Sequence, residues 1–339
     1  MTPNEVLKRF NEQAESLTDV PKPYLEAIKK QYQSALNDIT KELRKLTDKI
    51  DGIDPKDTIQ IQKELFKHNR LQNIQLRIKE ILNNANKVSR SAVNQVVKNS
   101  LKEGYYSQGF AYYNAMQGAG ININFGMFDP NVINASVLTG VNRKITGYIF
   151  KNKEDGAWIW DKVLKENHAK AYRRINNAIT QGLIKGDGYN KTARMLKKEL
   201  FPSKTPKFNL TSAIERIIRT ESGKARSLGD LIAYDDFKKS ADKLGIDVKR
   251  LWYSTVDNRV RDTHLSLHNQ PENENGQWIV GGSPADAPRL SGNPAEDINC
   301  RCTTVKEIEG LESTYDESKV AKKLDKDKYE IWKRSQSKS

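Results

Sequence analysis

Cysteine is nearly missing: among 339 residues there are two, Cys300 and Cys302. A disulfide-stapled scaffold is thereby excluded, and a bridge between i and i+2 would close too short a loop to add much stability. The pair fits a reducing compartment best. Long apolar runs are missing as well. No stretch approaches the roughly 18 residues a membrane helix needs, and the polar start Met1-Thr2-Pro3-Asn4-Glu5 lacks a signal peptide's apolar region. The expectation is a soluble chain with no membrane partner, not exported by that route. Nor is there a phosphate-binding Gly-rich loop, a nucleophile elbow or a His-Glu-x-x-His motif. Acidic residues are outnumbered, 43 Asp+Glu against 57 Lys+Arg, for a net charge of +14. Such a surplus concentrates polyanions near the protein and makes their binding salt-sensitive, which points to nucleic acid. The alternative is that Lys-rich helical surfaces simply keep the protein soluble.

What is there is mostly helical pattern. At about 100–200 residues per domain, the length allows two or three folded units. Residues 1–103 are nearly free of Gly and Pro after Pro23 and carry apolar residues at helical spacing. One run is Leu25, Ile28, Tyr32, Ala35, Ile39, Leu43, Leu46, Ile50. A second is Leu71, Ile74, Ile78, Ile81, Ala85, Val88, Ala92, a heptad-like alternation of steps of three and four. Between them, residues 51–58 offer a helix-ending Gly52, a Pro and a capping residue, so an antiparallel helical hairpin is expected. Residues 104–184 interleave Gly104, Gly109, Gly118, Gly120, Gly126, Gly140 and Gly147 with Tyr105, Tyr106, Tyr112, Tyr113, Phe125 and Phe128. That mixture reads as a hinge or packed helix junction, or less readily as a stacking platform for bases. Helix is expected again from Asp155 to Ile184, with Trp158, Val163, Ala171, Ile175 and Ile179 in the core. Short helices follow around 190–200 and 210–240.

Residues 185–310 end in a different composition. Val248, Leu251, Tyr253 and Val256 read as a strand, Trp278-Ile279-Val280 as a second and Cys302 to Val305 as a third. The Pro/Gly/Asn/Asp-rich stretch from Asn269 to Asn299 between them must run as turns held by side-chain hydrogen bonds. The fold class is therefore α+β: a long N-terminal helical hairpin or bundle, then a small mixed module with long loops. The basic tail, 311–339, reads as a solvated helix with a frayed end.

Three kinds of chemistry compete for the run Trp252 to His264 and the later Asn299-Cys300-Arg301-Cys302. The first is a metal site. His264 and His268 are four apart, which on a helix places both on one face, and Cys300 and Cys302 project to one side, a potential four-ligand zinc set. The opposing reading makes the cysteines small buried residues and His264 a satisfied core histidine. The second is an internal polar network, in which Asp257, Arg259, Arg261, Asp262 and His264 satisfy a loop buried against the domain. The third is catalysis, by a Cys/His pair or by Asp257 with Glu221, although neither spacing matches a recognised arrangement.

The pattern Trp252…Asp257-x-Arg259-Val260-Arg261-x-x-His264-x-x-Leu267, a Pro/Gly-rich loop, then Asn299-Cys300-Arg301-Cys302 closely resembles the C-terminal domain of phage Mu F-like minor head proteins, the phage head morphogenesis family. The segment Ile217-Ile218-Arg219-Thr220-Glu221 with Ala225 looks like the helix that precedes it there. The resemblance covers roughly residues 185–307. It implies structural motif positions at Arg219, Glu221, Trp252, Asp257, Arg259, Arg261, His264, Cys300, Arg301 and Cys302. His268 stands where the family has no fixed histidine, which counts against it as a fourth ligand. It also implies a low-copy, non-enzymatic assembly component of a tailed-phage head, located in the virion at the capsid interior or portal region, and in the host cytoplasm during assembly. Its implied partners are the portal protein and other capsid components. The basic balance adds non-specific contact with double-stranded DNA. The alternatives are a non-specific DNA-binding protein of packaging or ejection, and an ADP-ribosyltransferase-like effector built on Glu272-x-Glu274 and Arg219.

Overall fold

Apolar spacing sets most of the secondary structure. The computed structural model describes residues 3–17, 19–50, 52–54, 56–118, 120–121, 159–185, 189–202, 208–308 and 323–336. In chain order these form α1 (Pro3–Ala14), α2 (Pro21–Thr47), α3 (Thr58–Phe66), α4 (Arg70–Gly118), α5 (Ile159–Ile184), α6 (Tyr189–Leu200) and α7 (Leu210–Asp242). Then come β1 (Val248–Tyr253), α8 (Asp262–Leu265), β2 (Trp278–Val280), β3 (Ser283–Ala285), α9 (Pro294–Asp297), β4 (Thr303–Ile308) and α10 (Lys326–Gln336). The fold is α+β, with long helices first and small antiparallel strand pairs near the C-terminal end. Two compact units divide the chain: residues 22–94 with 157–218, and residues 1–21 with 95–156 and 219–339.

In the first of these, α2 buries Ile28, Tyr32, Ala35, Leu36, Ile39, Leu43 and Leu46. Along α4 the buried residues include Leu71, Ile74, Ile78, Leu82, Ala85, Ser89 and Val93, in steps of 3, 4, 4, 3, 4 and 4, with Ala92 buried beside Val93. Such steps follow the 3.6-residue period of a straight helix rather than a 3.5-residue heptad. Of the expected heptad-like stripe, Leu71, Ile74, Ile78, Ala85 and Ala92 are buried, whereas Leu82 takes the core place of Ile81 and Val88 stands 40% exposed. Instead of a single turn, the chain between α2 and α4 holds a loop and α3. Asp57 caps α3 by accepting the Gln60 amide at 2.9 Å, and Gly52 takes the positive φ of +92°. In α5 the core positions are Trp160, Leu164, Ala171, Ile175 and Ile179, whereas Val163 is 41% exposed. Trp158 lies outside the described residues.

In the second unit α4 runs through Gly104 and Gly109 without a break. The hinge reading fails there because Gly104 serves packing. A Cβ on it would meet the backbone of Arg226 in α7, and a Cβ on Gly229 would meet that of Leu101 in α4. These two glycines let α4 and α7 approach backbone to backbone. Gly126, Gly140, Gly147, Phe125 and Phe128 lie outside the described residues.

The aromatic residues of α4 receive the tail. Tyr329 and Trp332 of α10 pack on Phe110, and Tyr329 donates its hydroxyl to Glu103 at 2.5 Å. Tyr329 is fully buried, so the tail helix is docked rather than solvated.

The main sheet pairs β1 antiparallel with β4, with Val248 opposite Ile308, Arg250 opposite Lys306 and Trp252 opposite Thr304. The other edge of β1 is closed by the 269–272 segment, through Asn269 N to Trp252 O and Glu272 N to Arg250 O. The strand stops at Tyr253; Val256 lies beyond it, 69% exposed. A hairpin absent from the sequence reading joins β2 to β3, where Gly281 (φ +52°) and Gly282 (φ +79°) supply the two positive-φ positions of its turn.

Arg250 and Lys306 are like charges opposite one another on a buried sheet face, an arrangement that destabilises unless counter-charges are supplied. Glu272 supplies one, its Oε2 accepting from both Nε and Nη2 of Arg250. Asp230 of α7 supplies the other, bonded to Lys306 and to Thr304.

Candidate functional site

Alternation along β1 points Trp252 inward, where it is 1% exposed. Its ring meets Trp278 at 5.7 Å between centroids and the His264 ring edge-on at 5.6 Å. Trp278, Val280, Ala285, Cys300 and Cys302 complete this small core, and Leu267 packs on its edge.

Beyond β1, the Asp257 carboxylate accepts the Arg259 amide at 3.0 Å, a local turn that leads into the single-turn helix α8. α8 then returns His264 to the core. The His264 carbonyl accepts the Ser254 hydroxyl at 2.6 Å, and the same hydroxyl accepts the Trp252 indole N–H at 3.1 Å.

The two ring nitrogens of His264 face different groups. Nδ1 lies 3.3 Å from Cys302 Sγ and 3.6 Å from Cys300 Sγ. Nε2 lies 2.9 Å from Glu296 Oε2, which also accepts the Thr263 hydroxyl. The donor atoms of His264, Cys300 and Cys302 all lie within 4.8 Å of one another, and all three residues are buried.

A hydrogen bond between the thiols splits their acidities, lowering Cys302 to about 6 and, together with burial, pushing Cys300 well above the usual thiol range. Burial alone would lower His264, but the contacts with Cys300 and Glu296 outweigh it and its pKa rises.

His268 is not brought to this group. α8 ends at Leu265, so the two histidines do not share a helix face. The His268 Nδ1 instead accepts the Ser254 amide at 3.2 Å, and its ring lies on Tyr253.

The other sequence-chosen residues hold the loops. Arg301 forms a two-point pair with Asp257, both bonds 2.7 Å, and this keeps the Asp257 carboxyl well below the usual carboxylate range. The pair is part-exposed and so stands at the rim of the module rather than in the internal polar network expected here. Arg259 is largely exposed. Arg261 donates to the carbonyls of Glu296 and Ile298, fixing the end of α9. Glu221 lies buried on α7 with Lys224 and Asp297 as charged neighbours, and burial raises its pKa to about 7. Arg219 precedes it on the same helix.

Several participants escaped the sequence reading. Arg289 donates to the Cys300 carbonyl at 2.8 Å and to Ser227 at 3.0 Å, and it does so from a positive φ of +72°. Asp297 accepts the Ser291 and Gly292 amides and ties the 286–299 loop. Glu296, Ser254 and Arg250 were likewise missed, since none carries a local spacing signal. Glu272, considered only as a catalytic carboxylate, is occupied by Arg250 and by the Tyr234 hydroxyl.

None of the described helices is long and apolar enough to cross a membrane. Over 307 residues the chain is 25% identical to the NAD(+)--arginine ADP-ribosyltransferase EFV of Enterococcus faecalis, a match covering 89% of this chain and 55% of that protein. It is 24% identical over 249 residues to Minor head protein GP7 of Bacillus phage SPP1, covering 73% of this chain and 71% of that one. The chain thus spans about half the length of the first of these relatives. No solved structure matches it. Over residues 173–305, the stretch that supplies Asp257, His264, Cys300, Arg301 and Cys302, the chain matches the family described as Phage Mu protein F like protein.

Proposed function

We propose that this chain is a minor structural and assembly component of a tailed-phage head, recruited by association with the portal protein, and that its 248–308 module is a rigid docking platform. The observation that carries this reading is the use made of the charged side chains in the family-matched region. Asp257 is engaged by Arg301, Glu272 by Arg250, Asp297 by loop amides, and Arg261 and Arg289 by backbone carbonyls. Groups so engaged stiffen loops; they are not poised to turn a substrate over. The likeness to a minor head protein of a Bacillus phage supports the same reading. A place in the virion, at the capsid interior near the portal, follows from it.

The transferase named in the other relative is matched over 55% of its length, so its activity does not come to this chain with the match. Glu272 as a part-buried structural partner of Arg250 supports a non-enzymatic role, and incubation with labelled NAD should leave every protein unmodified.

The test is isolation of assembling heads. The chain is expected to co-purify with portal protein and to be present in mature virions; heads and virions that lack it would overturn the proposal. A second reading, non-specific contact with packaged DNA, rests on the +14 net charge. It requires a steep loss of affinity with salt and no sequence preference, and retention on DNA that ignores salt would contradict it.

A further inference from the structure

We infer that His264, Cys300 and Cys302 hold a zinc ion that staples the end of β1 and α8 to the approach to β4. Bonds of about 2.0–2.1 Å to nitrogen and 2.3 Å to sulfur at tetrahedral angles place the donors of a zinc site about 3.5 Å apart. The two nitrogen–sulfur separations here are 3.3 and 3.6 Å, before any ion is considered. Two thiolates and an imidazole are also a donor set suited to zinc over harder cations.

A second, independent observation is the other side of the ring. With Nδ1 turned to the sulfurs, Nε2 faces the Glu296 carboxylate at 2.9 Å, the outer partner that fixes the tautomer of a metal-bound histidine and raises its basicity. Glu296 is in turn held by the Thr263 hydroxyl at 2.9 Å, and its own backbone carbonyl by Arg261. The Ser254 hydroxyl lies 3.8 Å from Cys302 Sγ while bonded to the His264 carbonyl, which ties the turn carrying the histidine to the thiol. Among the described residues no further His, Cys, Asp or Glu joins the three donors, so the fourth corner falls to water. Binding releases the thiol protons, so affinity falls with acid.

The site serves the architecture because its donors lie 36 and 38 residues apart in a segment rich in turns. Cross-linking them at one point removes the freedom of the intervening loops. The inference does not depend on the head-assembly proposal: metal content is read on purified protein, whereas portal association is read in assembling heads.

The experiment uses the full chain, purified without a polyhistidine tag. Elemental analysis should return about one zinc per chain, a chelator should lower the melting temperature, and cobalt exchange should give thiolate charge-transfer and tetrahedral d–d absorption. Cys300→Ser, Cys302→Ser and His264→Ala should each lose the metal, while His268→Ala keeps it. Glu296→Gln should weaken zinc affinity by about 10–100-fold without abolishing it. If the cysteine variants fail to fold, cobalt titration of the unaltered chain and of Glu296→Gln still decides. The inference is overturned by a chain that stays metal-free after exposure to zinc and melts alike with and without chelator. It is equally overturned by metal binding that survives both cysteine replacements, or by a Cys300–Cys302 disulfide in protein kept under reducing conditions.

Discussion

Arg301 grips Asp257 through two parallel bonds of 2.7 Å across 44 residues of chain, joining the exit of β1 to the entry of β4. Planar guanidinium and carboxylate groups fit each other in this way, and an ammonium does not reproduce the fork. Arg301→Lys should therefore behave nearly like Arg301→Ala. In thermal melts the Asp257→Ala/Arg301→Ala double variant should lose little more than the worse single variant. Strict additivity would mean that the pair contributes nothing.

Gly104 and Gly229 should show a reversed sign. In an open helix, Gly→Ala gains about 1 kcal/mol. Here the added methyl would sit closer than 3.0 Å to backbone of the facing helix, a separation real Cβ atoms essentially never show. Overpacking of this kind costs about 1–3 kcal/mol, so either substitution is expected to lower denaturant stability. A gain on alanine substitution would show that α4 and α7 do not approach so closely.

Lys306 lies with its side chain fully buried against Asp230, and Thr304 donates to the same carboxylate. Burial lowers the lysine's pKa, and the aspartate partly restores it. Breaking such a pair by removing one partner strands the other charge, at about 3–5 kcal/mol. Lys306→Met and Asp230→Asn should each destabilise by that order in urea titrations. A double replacement by apolar residues should recover much of the loss, and a Lys306→Met variant as stable as the parent would contradict the buried pair.

Tyr32 and His168 meet at 2.6 Å from oxygen to Nε2 in the core of the 22–94/157–218 unit, and burial depresses His168 to about 4. The unfolded chain takes up this proton near pH 6.5, whereas the folded one resists until about 4. Stability from this group is therefore complete above about pH 6.5, falls as the pH drops toward 4 and is flat below. The full shift corresponds to roughly 3 kcal/mol. His168→Gln should flatten that part of the pH profile; an unchanged slope would refute the assignment.

Glu221 acts in the opposite direction. Burial raises its folded pKa to about 7, so the folded state keeps a proton that the unfolded chain releases near 4.5. Stability falls as pH rises through that window. Glu221→Gln should raise the melting temperature at pH 8 and change it little at pH 4. Equal effects at both values would indicate a packing change rather than titration.

Helical order was legible because local spacing encodes it: Ile28, Tyr32, Ala35, Ile39, Leu43 and Leu46 were chosen by period and are buried. The phase of the stripe on α4 was legible only in part, with Leu71, Ile74, Ile78, Ala85 and Ala92 buried, because a few apolar residues fit 3.5 and 3.6 residues per turn almost equally. Burial of Leu82 rather than Ile81 decides between them. The β2–β3 hairpin has a local sign, Gly281-Gly282, but it is one of many turn signals between Asn269 and Asn299 and does not stand out among them.

The sequence by itself determined the α+β class, most of the helical stretches, β1, β2 and the first half of β4, and it singled out the residues around 252–264 and 299–302, since these are properties of neighbours along the chain. Tertiary structure alone decided that Glu296 faces His264, that Arg289 holds the Cys300 carbonyl, that His268 stands apart, and that Gly104 meets Arg226. Those pairings join positions tens of residues apart or more. Their energy comes from burial and directional bonds that exist only once the chain has folded back on itself, so no local spacing announces them.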